Sequence, residues 1–167
     1  MPQPPQIVVM GVSGSGKSTI GSLIADRLGV PFTDADDLHP AANVQKMAAG
    51  QPLDDDDRWP WLALVGDALA GASRSGLVIA CSALKRSYRD AIRVSAPEAV
   101  FVLLTGSREL LASRLGHREG HFMPATLLDS QLATLEPLAA DEGGVTVDIA
   151  GSPEQIVDAI ASALPAH

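Results

Sequence analysis

Gly11, Gly14, Gly16, Lys17 and Ser18 follow directly on the apolar run Ile7-Val8-Val9-Met10. Glycines at such spacing let the backbone turn tightly and keep side chains away, so that successive N–H groups form a nest for an anion at a helix N-terminus. A lysine there adds a mobile positive charge, and the serine hydroxyl suits Mg²⁺. The full run Gly11-Val12-Ser13-Gly14-Ser15-Gly16-Lys17-Ser18-Thr19 therefore reads as a P-loop between a strand and a helix. It predicts nucleoside triphosphate binding by Gly11, Ser13, Gly14, Ser15, Gly16, Lys17, Ser18 and Thr19, with Lys17 also acting in the transfer step.

Phosphoryl transfer to a hydroxyl also needs a carboxylate to orient the acceptor and groups to hold the metal or its waters. Asp34, Asp36 and Asp37 follow the second apolar run, where Asp34 and Asp36 can share one face overlooking the P-loop. Asp36 is the expected base, and Ser18 with Asp34 the expected metal holders, Asp34 through water; the residues alone leave the two aspartate roles interchangeable. His39 precedes Pro40 and has no partners at metal-ligating spacing. Asp54-Asp55-Asp56-Asp57-Arg58 reads as a helix start in which Asp57 caps and Arg58 can offer a planar fork to a carboxylate. After the third apolar run, Ser82 can bind a ligand or cap the next helix. Lys85 and Arg89, four apart, predict an anion-binding helix face. The segment from Arg114 to Pro124 mixes glycines, Arg114, Arg118 and Phe122, the mixture a water-excluding lid needs, at about 115–125.

The elements that must position these residues are short. Apolar runs at Ile7 to Met10, Val30 to Thr33, Leu77 to Cys81, Val100 to Leu104 and Val145 to Ile149 lack alternation, as strands covered on both faces do. Helical patterns fall between them: Lys17 to Leu28, about Ala41 to Ala49, Pro60 to Ala72, Ser87 to Val94, Arg108 to Leu115 and Ala125 to Leu138. A last helix is announced by Ser152, Pro153 and Gln155, a capping box with proline at the first helical position. The order predicts an α/β fold of three layers, a five-stranded and mostly parallel sheet between helices. Its ligands would bind beyond the C-terminal strand ends. One domain over 1–167 is expected, with an acceptor-binding helical region at about 37–73.

Size and charge narrow the partners. A chain of 167 residues can bury a core, and a net charge of −8 repels nucleic acid backbones. No membrane-spanning run or leader is visible, and one cysteine, Cys81, ends an apolar run, so a buried side chain and a cytoplasmic location are expected. A GTPase-type switch would carry an Asn/Thr-Lys-x-Asp motif, which the sequence lacks.

With these pieces placed, the chain closely resembles the bacterial-type gluconokinases, small P-loop kinases related to shikimate and nucleoside-monophosphate kinases. The resemblance rests on the P-loop, on Asp34-Ala35-Asp36-Asp37-Leu38-His39-Pro40, and on Gly50-Gln51-Pro52-Leu53-Asp54-Asp55-Asp56-Asp57-Arg58. It continues through Cys81-Ser82-Ala83-Leu84-Lys85, Tyr88-Arg89-Asp90, Gly120-His121-Phe122 and Ser130-Gln131. It departs at Asp54, where the family often has Asn or Thr, and at Trp59, which adds bulk after Arg58. The resemblance implies phosphorylation of D-gluconate by ATP with Mg²⁺, in a homodimer that engages neither membrane nor nucleic acid. It places acceptor binding on Asp36, His39, Arg58, Lys85, Arg89 and Gln131, and nucleotide covering on Arg114 and Arg118, with Arg118 counted beside Lys17 and Asp36 among the catalytic residues.

Overall fold

A computed structural model describes residues 4–12, 14–51, 53–116 and 125–164, except for the side chains of 115, 116 and 125–127. The expected residues Ser13 and Arg118, and all but the edges of the expected lid, lie outside the described residues.

Five parallel strands form one sheet: β1 (Gln6–Met10), β2 (Phe32–Asp34), β3 (Leu77–Ala80), β4 (Val100–Thr105) and β5 (Val145–Asp148), in the order β2-β3-β1-β4-β5. β1 lies at the centre, with Val8 opposite Ile79 on one side and Phe101 on the other. The helices are α1 (Lys17–Leu28), α2 (Ala41–Ala48), α3 (Asp55–Gly71), α4 (Arg86–Ser95), α5 (Arg108–Gly116), α6 (Ala125–Thr134) and α7 (Pro153–Ala163).

Alternate side chains of each strand leave opposite faces of the sheet, and this makes the three layers. Ile7, Val9, Val78, Val102 and Leu104 pack with Ile20 and Ile24 of α1, Leu111 of α5, Leu128 of α6, and Ile156 and Ile160 of α7. Val8, Met10, Ile79, Phe101 and Leu103 pack on the other side with Trp61, Leu62, Val65 and Leu69 of α3 and with Ile92 of α4. The central strands are thus covered on both sides, whereas β2 and β5, at the edges, are only partly buried.

Several boundaries differ from the sequence reading, each for a local reason. The second strand starts at Phe32 rather than Val30, because Gly29 takes a left-handed turn and Val30 N–H donates back to Ala25 O, closing α1. α3 begins at Asp55, five residues before Pro60. Asp54 accepts from Asp57 N–H and Asp57 in turn accepts from Asp54 N–H, so Asp54 is the cap and Asp57 its partner. α6 ends at Thr134, since Glu136 precedes Pro137 and sends its N–H to Leu84 O. α4 opens at Arg86 with Lys85 as its cap, so Ser82 does not take the capping role.

Candidate active site

The C-terminal ends of β1, β2 and β3 converge on one edge of the sheet, and the loops leaving them carry the reactive side chains. The loop after β1 is built from its own backbone. Ser15, fully buried, sends both its N–H and its hydroxyl to Val12 O, at 3.2 and 2.7 Å. Gly16 caps α1 at φ +86, a left-handed conformation that favours glycine. At Gly11 a Cβ would stand 2.8 Å from Ser15 Oγ and 2.9 Å from Leu104 O, so no side chain fits there. Lys17 Nζ donates to Val12 O at 3.2 Å, which keeps the ammonium folded over the loop. Ser18 and Thr19 lie exposed on the first turn of α1, and Gly14 is buried beneath it. The loop thus presents a helix N-terminus and a lysine to one point, an arrangement that attracts phosphate.

Asp34 ends β2 facing that loop. Its Oδ2 accepts from Ser18 Oγ at 2.7 Å, and its Oδ1 accepts from Asp36 N–H at 2.9 Å, capping the short 3₁₀ turn Ala35–Leu38. Ser18 and Asp34 are hard oxygen donors side by side, and their chemistry fits Mg²⁺. Among the described residues no three His, Cys, Asp or Glu side chains gather as an all-protein metal site. The Asp36 carboxyl is held above the usual carboxylate range, first by desolvation and next by the negative charge of Asp34, against the pull of His39 and Lys17.

His39 stacks on Trp61 with ring centroids 4.3 Å apart, and Trp61 Nε1 donates to Ala35 O at 2.8 Å, tying α3 to the acidic turn. Desolvation lowers the His39 pKa, with Arg58 adding to the fall and Asp36 opposing it. Asn43 Nδ2 lies 3.2 Å from His39 Nδ1 and also donates to Asp57 O. With the amide nitrogen as donor, Nδ1 accepts, and the network assigns the neutral proton to Nε2.

Arg58, Lys85 and Tyr88 meet around Asp55. Tyr88 donates its hydroxyl to Asp55 Oδ1 at 2.6 Å, Arg58 Nη1 reaches the same oxygen at 3.2 Å, and Lys85 Nζ stands 3.9 Å from Oδ2. The Arg58 and Lys85 charges sit 5.7 and 5.6 Å from the Tyr88 ring centroid. Trp59 meets that ring edge-on, at 5.7 Å between centroids.

Arg89 is not on this surface, a correction to the expected anion-binding pair with Lys85. Its side chain is completely buried, as is that of Glu142, whose two oxygens accept from Arg89 Nε and Nη2 at 2.7 and 2.9 Å. Arg89 Nη1 donates to Ala83 O at 3.1 Å. Lys85 diverges because it is the cap residue in extended backbone: its carbonyl accepts from Arg89 N–H, but its side chain does not follow the buried helix face of Arg89. Ala83 takes φ +43, and the Arg89 contact holds that left-handed turn below the site.

Two further expected residues lie on the helices that follow β4. Arg114 Nη2 donates to Ile149 O at 2.7 Å, and its Nη1 would be 3.8 Å from a Cβ at Gly16, placing the guanidinium beside the P-loop. Gln131 lies half-buried on α6. Asp55 and Tyr88 are members of the cation cluster that residue-type reasoning passed over. The i, i+3 spacing of Asp55 and Arg58 on one helix turn, and the position of Tyr88 three residues after Lys85, were the available signals.

The site can be set beside known proteins. Residues 13–165 match the family model described as shikimate kinase. A gluconokinase of Gluconobacter oxydans is 50% identical over 158 residues, covering 93% of this chain and 89% of that protein. The thermosensitive gluconokinase of Escherichia coli is 45% identical over 161 residues, covering 92% and 86%. A crystal structure of a gluconokinase from Sinorhizobium meliloti superposes with a TM-score of 0.85 at 54% identity, covering 96% of this chain and 91% of that one.

Proposed function

The chain belongs to the gluconokinase family, within the broader shikimate kinase group, and from that premise we propose that it phosphorylates D-gluconate. The γ-phosphoryl group of ATP passes to the 6-hydroxyl, giving ADP and 6-phospho-D-gluconate. The observation that carries this reading is a continuous chain of ionisable side chains. Asp36 interacts electrostatically with Lys17 and His39, His39 with Arg58, and Arg58 joins Lys85 through Asp55 and Tyr88. Phosphate is handled at one end of that chain and an acceptor carboxylate at the other.

In the reaction the acceptor oxygen bonds to the γ-phosphorus as the bond to the β,γ-bridging oxygen breaks. The Asp36 carboxylate orients the primary hydroxyl and takes its proton. The P-loop N–H groups and Lys17 stabilise charge on the phosphoryl oxygens as the bond loosens. Arg58 and Lys85 bind the carboxylate at the far end of the acceptor, and neutral His39 donates from Nε2 to its hydroxyls. Ser18 would hold Mg²⁺ directly and Asp34 through water, the cation supplying neutralisation of phosphate charge when bound. Arg114 covers the nucleotide side, and Gln131 reaches the acceptor. The helical region at about 37–73 is the acceptor-binding part.

Among the described residues no helix is long and apolar enough to cross a membrane. The family resemblance supports a cytoplasmic homodimer, for which light scattering gives twice the chain mass. The direct test of the reaction is ³¹P NMR of a mixture with MgATP and gluconate, in which a phosphomonoester on C6 appears in step with ADP.

A further inference from the structure

Between the two cations assigned to the acceptor's carboxylate stands a carboxylate of the chain itself. Asp55 touches Arg58 at 3.2 Å, Tyr88 at 2.6 Å and Lys85 at 3.9 Å. The three charged side chains are 33, 45 and 37% exposed for Arg58, Asp55 and Lys85, so an entering anion can approach all of them. Two cations and one carboxylate leave the cluster a formal charge of +1.

We propose that Asp55 sets the charge of the acceptor pocket and thereby makes it selective for a singly charged head group over a doubly charged one. The inference rests on the reading above, in which Arg58 and Lys85 receive the acceptor's carboxylate. A monocarboxylate balances the cluster's charge. A phosphate dianion brings a second negative charge that meets Asp55 rather than a free cation. The Tyr88 hydroxyl, then Lys85 and Arg58, hold the Asp55 carboxyl below the usual range, so the counter-charge persists at neutral pH. For charges several ångströms apart in a partly solvated pocket, the repulsion weakens binding on the order of tenfold per unit of anion charge.

A series of acceptor analogues of similar length and rising charge isolates this effect. D-glucitol is neutral, D-gluconate carries one charge on C1, and D-glucitol 1-phosphate carries two there at pH 8. Their Ki or KM values are measured with MgATP saturating, so that the P-loop is filled and competition occurs at the acceptor pocket. Asp55→Asn should leave glucitol binding nearly unchanged relative to wild type. Relative to glucitol, gluconate should tighten on the order of tenfold and glucitol 1-phosphate on the order of a hundredfold. A role confined to orienting Arg58 and Lys85 would move gluconate and glucitol 1-phosphate by the same factor. Tyr88→Phe removes the hydroxyl that holds Asp55 but keeps its charge, and should leave the ratios within about twofold of wild type. Should Asp55→Asn fold poorly, Asp55→Ser removes the same charge at a helix start that tolerates serine.

A charge series with the same slope in wild type and the Asp55 variant overturns the proposal. Wild type that releases no ADP with gluconate overturns the underlying reading, and this proposal with it. Activity on gluconate with an unchanged slope removes only the role of Asp55.

Discussion

Ser18 Oγ donates a 2.7 Å hydrogen bond to Asp34 Oδ2, joining the first turn of α1 to the end of β2. The other Asp34 oxygen is taken by Asp36 N–H. Asp34 is thus engaged at both oxygens beside the P-loop hydroxyl, while the Asp36 carboxyl interacts electrostatically with Lys17 and His39. This geometry supports the division of roles in which Asp34 holds metal water and Asp36 serves the acceptor.

Lys17→Ala should lower turnover by at least about a hundredfold, the effect of losing roughly 3 kcal/mol of transition-state stabilisation. The melting temperature should change little, since the side chain is only partly buried and stands at the first residue of α1. Steady-state ADP release and thermal denaturation check the two parts separately.

Asp36→Asn should cut turnover strongly and change ATP affinity little, whereas Asp34→Asn should raise the Mg²⁺ concentration needed for half-maximal rate. A stronger Mg²⁺ dependence in the Asp36 variant would reverse the roles. The raised Asp36 pKa adds a pH signature. Because the folded value lies above the unfolded one, ionised Asp36 destabilises the fold, a penalty absent at low pH and complete above the folded pKa. Asp36→Asn should therefore melt higher than wild type at neutral pH, with the difference closing as pH falls through the carboxylate range.

Much of this arrangement was legible in the chain because it depends on local grammar. The P-loop is specified by glycines and its flanking strand and helix, and Asp34 and Asp36 follow a strand whose end must reach it. What the sequence hid were choices made by distant partners. Arg89 looks like a surface cation until Glu142, 53 positions away, claims it in the core. The start of α3 was misplaced because a proline marks a helix's first turn more visibly than the reciprocal bonds of Asp54 and Asp57 do. Asp55 was one acid in a run of four, and only the fold brings Tyr88 and Lys85 against it.

Glu142→Gln should destabilise the protein by about 3–5 kcal/mol, since it leaves the buried Arg89 charge without its counter-ion. Urea unfolding at pH 7 measures the loss. In wild type, Arg89 first, with help from Ala139 N–H and Arg93, holds the Glu142 pKa down to about 2. A depressed folded pKa gives stability that is full above the unfolded value and is lost as pH falls toward about 2. The variant should show a flatter stability profile over that window.

Cys81 is buried at the end of β3, and desolvation pushes its thiol up to about 12. A thiol-reactive chromogenic disulfide should leave it unmodified in the native protein and titrate one thiol per chain after denaturation. Rapid modification under native conditions would contradict the burial.

The central claim is that one end of the pocket recognises a carboxylate while the other activates a primary hydroxyl. Initial rates of ADP release across gluconate, glucose, shikimate and AMP, with MgATP saturating, test it most directly. Gluconate should lead. Glucose lacks the carboxylate and should lose at least about tenfold in kcat/KM, since a hydrogen bond to a charged group is worth roughly 1.5–3 kcal/mol. Shikimate has the carboxylate but fixes its hydroxyls on a ring, and should be turned over poorly. Arg58→Ala should erase most of the difference between gluconate and glucose. Equal rates with glucose and gluconate in the wild type, or a preference for AMP, would contradict the account.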